Sequence, residues 1–140
     1  MKKIISMIMV VLTILSTMAF SASAATKKTV NLTTDRSWSN SVTCTLNKKN
    51  VLGQRKSGTV RVTMIDYGVN IDVRMRNGSK TIWSQNNAIK SSGKTTKAFI
   101  YRDFSLGNDH KYYDLSFRCS KTCWVAPYVT VKNVANCDIT

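Results

Sequence analysis

Residues 69–76 read Val-Asn-Ile-Asp-Val-Arg-Met-Arg, apolar at every odd position and polar at every even one. Successive side chains of an extended strand point to opposite faces, so this segment suits a strand with one face buried and one in water. Asn77-Gly78 follows at once, a pair that tolerates the positive φ angles of a tight hairpin turn. Residues 80–85 are the expected returning strand. With Asn77-Gly78 as the turn, Arg76 faces Ser79, Val73 faces Ile82 and Asp72 faces Trp83. That register puts Trp83 diagonal to Arg74, on the face opposite Ile71 and Val73.

The same alternation, broken by turn residues, recurs over 28–33, 37–46, 59–66, 97–102, 112–119 and 123–132. Trp38, Val42, Cys44 and Leu46 share one face of the second of these, and Val60, Val62 and Met64 share one face of the third. Pro127 has no amide proton, which makes the last strand an edge or a bulged one. A three-residue loop, 120–122, would set Cys119 opposite Cys123, Arg118 opposite Trp124 and Asp114 opposite Tyr128. No stretch has helical spacing. The expected fold is all-β, an antiparallel sandwich of about seven to eight strands, with a small barrel as the alternative.

Lys2 and Lys3 precede an apolar run over residues 4–20, and Ser21-Ala22-Ser23-Ala24-Ala25 follows. This is the plan of an export signal cut after Ala24. Ser6, Thr13, Ser16 and Thr17 dilute the run, and spanning a bilayer takes about 20 consistently apolar residues, so a retained anchor is the weaker alternative. Residues 25–140 are then one secreted domain, and the richness in Lys, Asn and Ile suggests a bacterial producer. Export exposes cysteines to oxidation, so Cys44, Cys119, Cys123 and Cys137 read as two disulfides. Cys119 with Cys123 and Cys44 with Cys137 is the preferred pairing; Cys44 with Cys119 and Cys123 with Cys137 is the other considered. A zinc site is disfavoured because paired Cys-x-x-Cys knuckles are missing.

Without Lys2 and Lys3 the chain has 19 cations against seven acids, all of them Asp, a balance of +12. Such a charge favours a polyanionic partner, although it also simply keeps a secreted protein soluble. Lys48, Lys49, Arg55 and Lys56 lie in one acid-free loop, and Lys90, Lys94 and Lys97 in another, both able to meet anions. On the outer faces, Trp83 with Arg74 and Trp124 with Arg118 would make aromatic platforms flanked by guanidinium groups. A register error of one residue would turn both rings inward.

Catalysis is poorly supported. The single histidine, His110, lies in the turn-like Gly107-Asn108-Asp109-His110-Lys111, and no nucleophile-elbow pattern occurs. Carboxylate pairs would have to come from Asp72, Asp103, Asp109 or Asp114. Asp103, Asp109 and His110 are too few for a calcium loop, so neither a metal nor a small-molecule cofactor is expected. The leading expectation is a secreted cationic protein that binds an anionic cell-surface polymer or membrane surface, in a bacteriocin-like or wall-binding role. A small hydrolase or nuclease using His110 with an Asp is one alternative. An inhibitor or immunity-type protein that covers a partner protein is another.

Overall fold

The structure, a computed structural model, describes residues 27–47, 49–93 and 97–140. The expected signal segment, Lys48 and Lys94 lie outside the described residues.

Nine strands form: β1 (Lys27–Asn31), β2 (Val42–Leu46), β3 (Gly58–Ile65), β4 (Ile71–Asn77), β5 (Lys80–Ile89), β6 (Phe99–Leu106), β7 (Tyr112–Cys119), β8 (Tyr128–Ala135) and β9 (Cys137–Ile139). They make two antiparallel sheets, β1-β8-β3-β6 and β5-β4-β7-β2-β9, which do not close into a barrel. The sandwich expectation holds, with a short ninth strand added at the C-terminal side. Strand β3 alternates buried and half-buried residues along its whole length, so Val60, Val62 and Met64 enter the core while Arg61 and Thr63 stay outside. Val129 and Val131 from β8, and Val42, Val73, Leu115 and Phe117 from the other sheet, complete the layer between the sheets. Burying apolar surface at about 25 cal/mol per Å2 is what drives these faces together.

Three expectations need correction. The hairpin turn has Gly78, φ 57°, as its first central residue, with Asn77 paired to Lys80. Moving the turn by one residue shifts the register by two and leaves every side chain on its expected face. A bulge then follows, because Arg76 pairs with Thr81 but Met75 pairs with Trp83. That one extra residue, Ile82, turns Trp83 from the outer face to the inner one. It packs edge-to-face on Phe104, ring centroids 5.8 Å apart, and does not stand beside Arg74.

The second correction concerns residues 112–132. Strand β7 lies in one sheet and β8 in the other, so residues 120–127 cross between layers and no hairpin forms. Ser120 donates its amide to Asn70 O and Cys123 donates to Thr34 O, which draws the segment away from β7. Arg118 therefore faces Asp72 across β4, and Asp114 faces Arg76; neither meets Trp124 or Tyr128. Third, β2 starts only at Val42, and the preceding segment carries Trp38 over the outside of its sheet.

Candidate functional site

The outer face of the β1-β8-β3-β6 sheet is built by strand parity. Residues whose neighbours in sequence fill the core must point outward, and the pairing sets them in rows. Lys27 lies opposite Lys132, Lys132 opposite Arg61, and Arg61 opposite Asp103. The next row is Thr29, Thr130, Thr63 and Tyr101, with the Thr29 and Thr130 hydroxyls 3.2 Å apart. Beyond it stand the pairs Asn31–Tyr128 and Ile65–Phe99. Phe99 and Tyr101 are 71% and 62% exposed, so one sheet face offers water a cationic row, a hydroxyl row and an aromatic margin.

Arg61 donates to both Asp103 oxygens, at 2.7 and 2.9 Å, and its guanidinium stacks 4.3 Å from the Tyr101 ring centre. The Arg61 hydrogen bond holds the Asp103 carboxyl below the usual carboxylate range. Lys27 and Lys132 have no ion-pair partner among the described residues. Sequence reading missed this face because its partners lie far apart in the chain. Arg61 and Thr63 could have been placed outward from the parity of 59–66, but not beside Lys132 or Lys27.

The expected guanidinium platform exists with a different ring. Arg74 and Arg118 lie 4.3 and 4.5 Å from the Trp38 ring centre. Arg118 also donates to buried Asp72 at 3.0 Å. Arg74 Nε is buried with no hydrogen-bond partner, and burial, then Arg76 and Arg118, lower the guanidinium's affinity for its proton. Trp124 is fully exposed in the crossing segment.

Of the loop cations, Lys49 bridges to Arg55 in a tight turn, in which Asn50 Oδ1 accepts from the Leu52 and Gln54 amides at 3.0 Å each. Residues 49–55 of the expected loop are thus a closed turn, and Lys56 is exposed beside it. Lys90 and Lys97 are exposed, but Ser91 and Ser92 beside Lys90 are tied to Asp66.

All four cysteines are free thiols, so the expected disulfides are not present. Cys119 and Cys123 nevertheless stand with sulfurs 3.3 Å apart. Cys44 pairs with Ile139 while Cys137 pairs with Leu46, which makes Cys44 and Cys137 diagonal neighbours on one face of β2 and β9. A diagonal offset of about 7–8 Å is long for a disulfide.

A cleft of about 440 Å3 opens where edge strands β5 and β6 part. Trp83, Phe104, Met75, Tyr113 and Asp109 line it. Tyr113 donates to Asp109 Oδ1 at 2.6 Å, and His110 Nε2 is 3.3 Å from Asp109 Oδ2. The Tyr113 hydrogen bond holds Asp109 below the ordinary carboxylate range. No protein family, curated protein or solved structure matches this chain.

Proposed function

We propose that this protein is exported, with cleavage after Ala24, and binds an anionic extracellular polymer without catalysis, using the outer face of the β1-β8-β3-β6 sheet. The observation that carries this reading is the Lys27–Lys132–Arg61 row, in which the one carboxylate, Asp103, pairs with Arg61 and leaves the two lysines without an ion-pair partner among the described residues. Like charges directly opposite in a sheet cost up to about 1 kcal/mol, and a bound anion would remove that cost. The exposed Tyr101 and Phe99 beside the row favour a polysaccharide, because sugar rings present apolar C–H faces to aromatic rings while their anionic groups meet the lysines.

Two further observations support it. Six of the seven aspartates accept hydrogen bonds from Ser, Thr, Tyr, Arg or backbone donors nearby: Asp35, Asp66, Asp72, Asp103, Asp109 and Asp114. Most of the acids are thus engaged within the fold, and seven of them against 19 cations leave an excess of +12 over residues 25–140. Hydrolysis of a glycosidic bond needs one carboxylic acid with a raised pKa, whereas Asp103 and Asp109, the two nearest the cleft, are both lowered. Oxidation of Cys119 with Cys123 belongs to the same reading. The thiols would close from 3.3 Å to the roughly 2.05 Å of a bond, passing two electrons and two protons to a disulfide oxidant.

The test passes residues 25–140 over an immobilised sulfated polysaccharide, purified cell walls and anionic liposomes across a salt series. Retention on polysaccharide or walls should fall steeply with salt, and Lys27→Glu with Lys132→Glu should weaken it about tenfold or more. Absence of retention on polysaccharide and walls at low salt overturns the reading, as does a double variant retained like the parent. Retention on liposomes alone would move the target from polymer to membrane.

A further inference from the structure

We propose that the cleft between β5 and β6 is a second binding site, which takes a neutral pyranose sugar unit. Its volume, about 440 Å3, lies within the roughly 300–1,000 Å3 typical of small-ligand sites. The wall is one that a sugar ring fits. Trp83 is half-buried and fixed by its edge-to-face contact with Phe104, so an indole surface is held ready instead of being ordered on binding. Met75 and Ile82 extend the apolar side.

The polar side includes an exposed acceptor. Asp109 Oδ1 receives a hydrogen bond from Tyr113 Oη and Oδ2 stands 3.3 Å from His110 Nε2, yet the side chain is 65% exposed and keeps carboxylate lone pairs open to a ligand. Those lone pairs suit hydroxyl donors and repel a bound carboxylate, sulfate or phosphate. The cation at the cleft is Arg102, whose guanidinium donates one N–H to Ala88 O at 2.5 Å and lies 5.3 Å from the Phe104 ring centre. An apolar platform opposite an ionised, exposed acceptor favours a polyhydroxylated neutral ligand over an anionic one, and the remaining Arg102 N–H groups can donate to its hydroxyl oxygens.

Gly107 shapes this arrangement. A Cβ there would lie 2.6 Å from Asp109 Oδ1 and 3.1 Å from Tyr113 Oη, so a side chain at 107 would push the acceptor off its position. Gly107 is thus a positioning residue. The site adjoins the cationic row along β6, where Arg102, Asp103 and Phe104 line the cleft while Asp103 also pairs with Arg61; Lys27 and Lys132 are not part of its lining.

The experiment titrates the protein with cellobiose, maltose and N,N′-diacetylchitobiose into the millimolar range while NMR follows the indole N–H signals. Trp38 and Trp124 are internal references. At least one disaccharide should shift the Trp83 signal in a saturable way and leave Trp124 unmoved. Asp109→Asn and Gly107→Ala should each weaken that binding by about tenfold, the order of one charge-assisted hydrogen bond. A glucuronate-containing disaccharide should bind about tenfold more weakly than its neutral counterpart. Lys27→Glu with Lys132→Glu should leave the Trp83 titration unchanged even where polymer retention is lost, which separates failure of this site from failure of the sheet face. No saturable Trp83 shift with any of the three sugars overturns the proposal. So does unchanged affinity in folded Asp109→Asn, or equal affinity for the glucuronate sugar.

Discussion

Asp66 shows how much one side chain holds here. It is fully buried, and it accepts from the Ser91 and Ser92 hydroxyls, the Ser92 amide and the Gly68 amide. Desolvation pushes its pKa up, but these hydrogen bonds outweigh it and hold the carboxyl well below the ordinary range. Asp66→Ala would remove the acceptor of four hydrogen bonds and should cost about 3 kcal/mol in chemical denaturation. A depressed folded pKa stabilises above the unfolded value, near pH 4, and that stability is lost as pH falls further. The basic side has its own limit. Burial pushes the Cys44 and Cys119 thiols to about 12 and Cys137 to about 11. Their raised values stabilise fully below the unfolded thiol pKa, near 8.5, and this contribution fades as pH rises from there toward 12. Thermal midpoints for the reduced protein should therefore plateau between about pH 5 and 8 and fall on both sides.

At the level of elements, the β4–β5 hairpin marks how far sequence reasoning reaches. The strand, the turn and the inward set Ile71, Val73 and Met75 were all legible, because alternation and Gly78 are local signals. The bulge at Ile82 was not. Nothing in residues 80–85 announces an extra residue, yet it decides whether Trp83 is an outer platform or a cleft wall. The Trp38 contact with Arg74 and Arg118 was hidden for another reason: residues 34–41 are irregular, and period-two logic has no hold on them. The two cation loops were legible as loops, whereas the cationic row across β1, β8 and β3 depends on pairings that no local pattern encodes. Gly78→Ala tests the local part. At φ 57°, with the Tyr112 hydroxyl 3.7 Å away as nearest neighbour, an added methyl meets backbone strain and no clash. The loss should be about 1–2 kcal/mol, and smaller for Gly78→Asn, read as the shift of the denaturation midpoint.

For the whole molecule, the strand order is the dominant fact. Of the sequential pairs, β4 with β5 is the one that forms a hairpin within a sheet; β1 reaches to β8, β2 to β7 and β9, and β3 to β6 and β8. Closing such distant contacts costs chain entropy before burial repays it. Refolding should accordingly take milliseconds to seconds in stopped-flow experiments, in contrast to the microseconds of a small helical bundle. The Lys27–Lys132 row requires β1 and β8 together, so it cannot exist before the chain has emerged as far as residue 132. The same order bears on the chain's life before it folds. A nascent polypeptide whose first strand waits for its eighth has little to collapse onto while it is being made. Apart from the β4–β5 hairpin, its native pairings cannot form until later strands have emerged, so a narrow channel could still thread it late in its synthesis.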